Sequence, residues 1–277
     1  MNDLNKLIAL AINEDIGHGD ITTDAIIPSN QSGVAYLIAK MDFILAGVNI
    51  AQLVFEKLDT TVEFKPYFQD GSHVQASDKI AQCKGPLRSL LKGERLALNF
   101  MQRLSGIATM THDYVQCLAS DRVKIVDTRK TTPGWRSLEK YAVKIGGGHN
   151  HRMGLFDGIL IKDNHIAVCG SIQQAIKLAR QNNHHLVKVE IEVDHLTQIP
   201  DALEAGADII LLDNMSIEQI KQAVQIINGK AIIEVSGGVQ KEHIHALSQT
   251  GIDIISIGAL THSAKAVDIS MEITTIP

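Results

Sequence analysis

The sequence has little cysteine, no excess of positive charge and no long apolar run. Its three cysteines (Cys83, Cys117 and Cys169) are isolated and odd in number, which argues against a disulfide framework and for a reducing cytosol. The net charge of −5 excludes a broad electrostatic footprint for nucleic acid, so we expect no nucleic-acid partner. No apolar run approaches the length of a membrane span, and the first residues indicate an amphipathic helix rather than a signal peptide. These absences predict a soluble, cytoplasmic protein without a membrane partner.

What is present is enough apolar material for a sizeable core. Hydrophobic residues make up 45% of the 277 residues, which suffices for one large or two modest domains. Apolar periodicity predicts a first helix that ends near Gly17 and a second over 44–58. Strands are predicted at 33–40, 62–68 and 79–82, so we expect an α/β sandwich domain at the start of the chain.

Two features of this first part bear on function. The segment 14–23 is rich in glycine, aspartate and threonine, and we interpret it as a turn with a helix cap, with a metal-binding loop as the alternative. A long helix is predicted over 93–118, which places Arg95 near its start. The helix dipole disfavours a cation there, so Arg95 is a candidate for a functional role, with a solvated charge paired to Glu94 as the alternative.

The rest of the chain alternates short β-branched runs with helices. Continuous apolar runs are typical of parallel strands covered on both faces, and six such strands are predicted, at 123–126, 158–161, 187–193, 208–212, 231–235 and 253–257. Their short connections favour an incomplete TIM-like α/β barrel. We therefore predict an N-terminal sandwich domain over 1–104, to which residues 266–277 return, and a barrel domain over 105–265.

Polar residues follow every predicted barrel strand, at the strand ends where barrel enzymes carry their active sites. The first two strands are followed by cations, the next two by carboxylates and the last two by glycine turns. Such turns expose backbone N–H groups that can hold a phosphate. In strand order the candidates are Arg129 and Lys130, Lys162, Glu192, Asp213, Ser236 with Gly237 and Gly238, and Gly258 with Ala259.

The stretch 127–165 gathers positive charge against the trend of the chain, with seven Lys or Arg residues and four Asp or Glu residues. Arg129 and Arg152 can bind carboxylates through bidentate hydrogen bonds, each contributing roughly 1.5–3 kcal/mol. Alternate histidines at 149 and 151 admit a metal site, but no third ligand at metal-site spacing accompanies them. The pattern favours a site for two anionic ligands with a positively charged intermediate between them.

Long motifs in this stretch resemble the quinolinate phosphoribosyltransferase family. They read DTRKTTPG at 127–134, GGGHNHR at 146–152 and LIKDNH at 160–165. Agreement extends to EDIGHGDITT at 14–23, ERLALN at 94–99, LSGIAT at 104–109, LLDN at 211–214 and EVSGG at 234–238. The resemblance therefore spans nearly the whole chain.

The resemblance implies transfer of phosphoribose from phosphoribosyl pyrophosphate to the nitrogen of quinolinate, with loss of CO2, in the biosynthesis of NAD. It implies an N-terminal α/β sandwich followed by an incomplete barrel, and a homodimer. It places Arg129, His151, Arg152 and Lys162 around the quinolinate carboxylates, with Arg95 reaching in from a second subunit. It places Lys130 and Lys162 near the phosphates, Glu192 and Asp213 near the ribose and Mg²⁺, and the turns at 236–238 and 258–259 around the 5′-phosphate.

Two alternatives come from other classes of protein. Lys162 at a strand end could form a Schiff base as the nucleophile of an aldolase. The chain could also be a non-catalytic or altered-specificity relative, like the similar proteins found with molybdate transport. Those relatives depart around the Lys-Asp-Asn-His segment, which is intact at 162–165.

Overall fold

The structure, a computed structural model, describes residues 2–275 and divides into two compact units. The first unit takes residues up to 110, then 133–146, then residues from 264 onward. The second unit takes 111–132 and 147–263. The sequence prediction drew its border between 104 and 105 and did not single out 133–146.

The described part of the chain alternates helices and strands almost throughout. Its helices are α1 (Asn2–Ile16), α2 (Ile21–Ile26), α3 (Val48–Leu58), α4 (Leu87–Val115), α5 (Arg136–Ile145), α6 (Asp163–Cys169), α7 (Ile172–Gln181), α8 (Ile199–Glu204), α9 (Ile217–Ile227), α10 (Ile244–Ser248) and α11 (Ala259–His262). Short 3-10 turns precede α8 and α10, at Leu196–Gln198 and Lys241–His243. Within residues 2–275, none of the helices combines the length and apolar character needed to cross a membrane.

The strands of the first unit form an antiparallel sheet and a small pair. They are β1 (Ser32–Ala39), β2 (Phe43–Ile44), β3 (Glu63–Pro66), β4 (His73–Val74), β5 (Lys79–Pro86) and β12 (Ile269–Thr275). The four-stranded sheet has the order β12-β1-β5-β3, and β2 pairs with β4. Burial alternates along β1, as expected for a strand with one face on a core. The return of the C-terminal residues to this unit is the pairing of β12 with β1.

The strands of the second unit form one parallel sheet with the order β6-β11-β10-β9-β8-β7. They are β6 (Lys124–Val126), β7 (Ile159–Ile161), β8 (Val189–Val193), β9 (Ile209–Asp213), β10 (Ile232–Ser236) and β11 (Ile254–Ser256). All six predicted strands are present, and the parallel arrangement of an incomplete TIM-like barrel is confirmed. In the described residues β6 and β7 are the two ends of the sheet. Because neighbouring strands are parallel throughout, the carboxyl ends of all six lie on one edge.

Helix α4 begins at Leu87, six residues before its predicted start. Gly93 suggested a boundary, but it lies inside the helix, and the ring of Phe55 occupies the space that a side chain there would need. A Cβ atom at Gly93 would lie 2.6 Å from that ring. Arg95 is therefore in the third turn rather than near the start, and the argument from the helix dipole was wrong.

The segment 14–23 is a turn with a helix cap, as interpreted from the sequence. The carboxylate of Asp20 accepts hydrogen bonds from the backbone N–H groups of Thr22 and Thr23 at 3.1 and 3.0 Å. It therefore caps α2, and a hydrogen bond from the side chain of Thr23, followed by these backbone hydrogen bonds, lowers the pKa of Asp20.

Residues 133–146 pack into the first unit through two contacts to α4. Trp135 stacks on Phe100 with ring centroids 4.8 Å apart. The buried carboxylate of Glu139 accepts a hydrogen bond from Arg103 at 2.9 Å. These contacts explain why a segment inserted between β6 and β7 belongs to the first unit.

Candidate active site

A cavity of about 540 Å³ lies in the second unit at the carboxyl ends of the parallel strands. Each strand, or the turn that follows it, contributes to its wall. The residues predicted for the site that line it are Arg129, Lys130, His151, Arg152, Lys162, Glu192, Asp213, Ser236, Gly237, Gly238, Gly258 and Ala259. The sequence therefore predicted which strand ends would meet. The roles of the residues at these ends stay predictions.

The turn after β6 is anchored to α11. The hydroxyl of Thr261 donates to the backbone carbonyl of Lys130 at 2.7 Å, and the N–H of Lys130 donates to Thr128 at 3.0 Å. Gly258 leaves room for the lysine side chain, since a Cβ atom there would lie 2.9 Å from Cδ of Lys130. The Lys130 backbone is thus fixed beside the glycine turn.

Lys162 and Glu192, at the ends of β7 and β8, form a direct ion pair. Lys162 also begins α6, where its N–H donates to Nδ1 of His165 at 2.9 Å. The ammonium of Lys162 therefore meets a carboxylate across neighbouring parallel strands. The charge of Glu192 partly offsets the attraction of this cation for an anion.

The turns after β9 and β10 pack tightly against each other. The N–H of Asn214 donates to the carbonyl of Ser236 at 3.1 Å, and its side-chain amide donates to Asp213 at 2.7 Å. Gly237 has a φ of +95°, and a Cβ atom there would lie 2.2 Å from Oδ1 of Asn214. Only glycine fits this position, so the turn orients Asp213 and leaves its own backbone on the cavity wall.

The segment that carries His151 and Arg152 is fixed by the buried carboxylate of Asp127. Asp127 accepts hydrogen bonds from the side chain of Asn150 at 2.5 Å and from the N–H of His151 at 3.0 Å. The guanidinium of Arg152 donates to the carbonyl of Gly158 at 2.8 Å. These contacts hold the segment between β6 and β7.

Arg152 lies in an environment that disfavours its own charge. Burial lowers the pKa of Arg152, and the nearby positive charge of Arg129 lowers it further. When an anion binds between two guanidinium groups, it relieves their mutual repulsion and accepts charge-assisted hydrogen bonds from both. The arrangement suits a ligand with carboxylate groups.

Two buried carboxylates near His151 received no role from the sequence. Glu190 and Glu234 lie inside β8 and β10, and Nε2 of His151 is 3.2 and 3.5 Å from their oxygens. Burial and then the neighbouring Glu190 raise the pKa of Glu234 to about 7. The signal was available, because a carboxylate in the middle of an apolar strand run must be buried or paired.

Arg95 does not line the cavity with the other candidates. It lies in the first unit, exposed on α4, and is not one of the residues that line the cavity. Other lining residues that received no role from the sequence are Thr128, Ser256 and His262. Hydroxyl and imidazole groups after strands are common in any barrel, so the sequence carried no specific signal for them.

Comparisons with known proteins agree over nearly the whole chain. Residues 20–105 match the model of the quinolinate phosphoribosyl transferase N-terminal domain, and residues 107–272 match that of its C-terminal domain. A probable nicotinate-nucleotide pyrophosphorylase [carboxylating] from Bacillus subtilis is 47% identical over 98% of this chain and 93% of its own length. A chloroplastic nicotinate-nucleotide pyrophosphorylase [carboxylating] from Arabidopsis thaliana is 42% identical over 99% of this chain and 83% of its own.

Solved structures give the same relationship. The crystal structure of NadC from Streptococcus pyogenes superimposes with a TM-score of 0.96 and 45% identity, covering 100% of this chain and 98% of that one. The nicotinate-nucleotide pyrophosphorylase from Francisella tularensis superimposes with a TM-score of 0.94 and 41% identity, covering 99% and 96%. The mixed α/β architecture is thus shared with enzymes of known structure.

Proposed function

The chain belongs to the quinolinate phosphoribosyltransferase family, and we propose that the cavity at the ends of its barrel strands is where it carries out the family reaction. The protein transfers phosphoribose from phosphoribosyl pyrophosphate to quinolinate with decarboxylation. The products are nicotinate mononucleotide, pyrophosphate and CO2, in the biosynthesis of NAD. The aldolase and the non-catalytic relative are set aside, because neither describes this family.

One observation carries the assignment of the cavity, namely the separation of charge along its wall. Arg129 and Arg152 lie toward β6 and β7, and they are assigned the two carboxylates of quinolinate. Glu192 and Asp213 follow β8 and β9, and they are assigned the ribose, where positive charge develops as pyrophosphate leaves. Lys162 contacts Glu192 and so lies between the two sets.

The phosphates are assigned to the remaining parts of the wall. Lys130 supplies a compact positive charge for the pyrophosphate beside Gly258. The turns at 236–238 and 258–259 offer backbone N–H groups to the 5′-phosphate. After transfer, the positive ring nitrogen of the product stabilises the carbanion that loss of CO2 leaves on the adjacent carbon. No side chain is needed as a nucleophile.

Magnesium is proposed as the cofactor. Glu192 and Asp213 present carboxylate oxygens to the cavity, the ligand type that suits this hard cation. Mg²⁺ bound to pyrophosphate would neutralise the charge of the leaving group. Activity should disappear on treatment with EDTA and return on addition of Mg²⁺, and activity that survives EDTA would contradict this assignment.

A homodimer is also proposed. The resemblance assigns Arg95 to the quinolinate site of a second copy, and in this chain Arg95 is exposed and does not line the cavity. A second copy that brings Arg95 to the cavity would complete the set of cations. Sedimentation of the purified protein should give twice the mass of one chain, and a monomer that is fully active would contradict it.

A cytoplasmic location is proposed on the state of the cysteines. Cys83, Cys117 and Cys169 all carry free thiols, as a reducing compartment favours. Burial raises the pKa of Cys83 to about 12, so this thiol is chemically inert. Fractionation of cells that express the chain should place it with cytosolic markers.

The decisive experiment follows substrate choice. Purified protein is incubated with phosphoribosyl pyrophosphate, Mg²⁺ and either quinolinate or nicotinate, while nicotinate mononucleotide and CO2 are measured. We expect strong preference for quinolinate, because nicotinate leaves cations of the cavity without an anion. Arg152→Ala should lose most activity, whereas Arg122→Ala, a change at an exposed arginine of the same unit, should not. Equal use of both acids would overturn the assignment.

A further inference from the structure

Three side chains meet inside the barrel beside the cavity, and two of them have no part in the reaction assigned above. Glu190 and Glu234 are 4% and 1% exposed and come from β8 and β10, the strands on either side of β9. Nε2 of His151 lies 3.2 Å from Oε2 of Glu190 and 3.5 Å from Oε1 of Glu234. We call these three residues the inner triad.

The position of the ring proton decides what the inner triad can hold. The backbone N–H of Arg152 donates to Nδ1 of His151 at 2.8 Å, so Nδ1 carries the lone pair. In the neutral ring the proton is then on Nε2, where Oε2 of Glu190 lies closest, while Oε1 of Glu234 is near by but accepts no hydrogen bond. A metal ion at Nε2 would need the lone pair of that atom, so the inner triad suits a hydrogen bond rather than a divalent cation.

We propose that Glu190 and Glu234 are positioning residues, which hold the ring of His151 and through it the backbone of Arg152 in the place from which the guanidinium binds the dicarboxylate. This proposal rests on the function proposed above. His151 also lines the cavity, and the inner triad acts on the bound dicarboxylate through the backbone of Arg152. The inner triad thereby sets the affinity for quinolinate and not the affinity for phosphoribosyl pyrophosphate.

Contacts on both sides of the ring support this role. The N–H of His151 donates to Asp127 at 3.0 Å, and Arg152 donates to the carbonyl of Gly158 at 2.8 Å. His151 is therefore held through its backbone and through its ring. Freed from Glu190 and Glu234, the ring could turn about its side-chain bonds, and Arg152 would lose the acceptor for its own N–H.

Electrostatics favour the same arrangement. Two carboxylates buried together repel each other, and this repulsion adds to burial in raising the pKa of Glu234. A pKa near 7 leaves Glu234 partly protonated near neutral pH, which reduces the repulsion between the two carboxyl groups. The negative charge of Glu190 favours the charged form of Arg152, which burial and Arg129 oppose. Glu190 thus stabilises the guanidinium of Arg152 at the cavity wall.

The test compares variants that remove or keep the hydrogen-bond acceptor. Glu190→Ala should raise KM for quinolinate about tenfold or more, while KM for phosphoribosyl pyrophosphate changes less than about twofold. Glu190→Gln keeps an oxygen for Nε2–H and should recover most of the affinity. His149→Asn, a change at an exposed histidine of the same segment, should leave both constants unchanged. A similar rise in both KM values, or a Gln variant as impaired as the Ala variant, would overturn the proposal.

Two measurements do not depend on turnover. Nitrogen NMR of the His151 ring should show Nδ1 without a proton and Nε2 with one, and the opposite tautomer would contradict the inner triad. Calorimetric binding of phthalate, a dicarboxylate without the reacting nitrogen, should weaken in Glu190→Ala and recover in Glu190→Gln. If the intact protein fails to convert quinolinate while these two results hold, the assigned reaction fails and the positioning role stands. If Glu190→Ala does not fold, Glu190→Asp serves in its place with the same expected result, because its shorter side chain withdraws the carboxylate from Nε2 of His151.

Discussion

The ammonium of Lys162 forms an ion pair with the carboxylate of Glu192. Lys162 keeps 44% of its side chain exposed and Glu192 keeps 18%, so the pair faces the cavity and not the core. The pair comes from adjacent parallel strands, and its geometry is therefore fixed by the sheet. The attraction of this cation for an anionic ligand is therefore partly offset by the negative charge of Glu192.

Removal of that competing carboxylate should separate binding from catalysis. In Glu192→Gln we expect quinolinate to bind as tightly as before or up to about fivefold more tightly, since the pair it breaks stabilises the unliganded state by about 1 kcal/mol. Turnover should fall about a hundredfold, because Glu192 is assigned to the developing positive charge of the ribose. Calorimetry and steady-state kinetics measure the two effects. Weaker quinolinate binding in this variant would contradict the competition.

The turn at Gly237 should tolerate no side chain. Gly237→Ala would push Asn214 away and with it Asp213, so KM for phosphoribosyl pyrophosphate should rise at least about tenfold, and stability should fall by about 1–3 kcal/mol. The matched control is Gly206→Ala, at a φ of +83° with no atom within 4 Å of the added Cβ. It should cost only the left-handed strain of about 1–2 kcal/mol and leave both KM values unchanged. Similar kinetics for the two variants would show that the contact with Asn214 is unimportant.

The stability of the protein should depend on the proton of Glu234. Its pKa is about 7 in the folded protein against an ordinary value of 4.5, so between these values the folded state keeps a proton that the unfolded state has released. The contribution of this group to stability therefore falls as pH rises through that window. Glu234→Gln cannot titrate, so its Tm relative to the parent should rise by on the order of 5 °C from about pH 5 to about pH 8.

The control for this titration is an exposed glutamate of the same unit. Glu204→Gln should follow the parent protein at every pH, because its carboxyl is exposed on α8. Thermal unfolding measured by circular dichroism gives all three curves. If the Glu234→Gln and parent curves run parallel, then the carboxyl of Glu234 is ionised in the folded protein throughout the window.

In the proposed dimer, two inactive variants should complement each other when their subunits exchange. Arg95→Ala and Arg152→Ala should each be nearly inactive, and subunit exchange between them should restore up to about a quarter of the parent activity. The reason is that half of the dimers become hybrids, each with one complete site. Mixing Arg152→Ala with Lys162→Ala should restore nothing, since both residues belong to the same chain's cavity. Equal results from the two mixtures would exclude a contribution of Arg95 of the partner subunit.

The barrel was predictable because its strands leave a strong pattern. Continuous β-branched runs separated by helices are what a parallel sheet covered on both faces requires, and all six were found within a few residues of their bounds. The short strands β2 and β4 were missed, since two residues are too few to show the alternation of apolar and polar side chains that marks a strand. The start of α4 was missed because Gly93 was interpreted as a helix boundary, whereas the glycine makes room for the ring of Phe55, a tertiary contact that local sequence does not show.

The site was predictable as far as strand ends decide it. Parallel strands bring their carboxyl ends to one edge, so Arg129, Lys162 and Asp213 had to meet once the strands were recognised. Contacts inside the barrel could not be obtained this way. Whether Glu190 and Glu234 share the same interior depends on strand order, and β8 and β10 are separated by β9 rather than adjacent. The stacking of Trp135 on Phe100 likewise joins segments whose proximity no spacing reveals.

The free side of β6 is covered by residue 149. His149 forms a parallel bridge with Val126, its N–H donates to Ile125 at 2.8 Å, and its carbonyl accepts from Asp127 at 3.1 Å. An uncovered strand edge offers unpaired backbone groups to other chains and promotes aggregation. The segment that leads to the cavity is therefore also expected to protect the sheet from self-association. Substitutions that loosen this segment should reduce the yield of dispersed protein during expression as well as its activity.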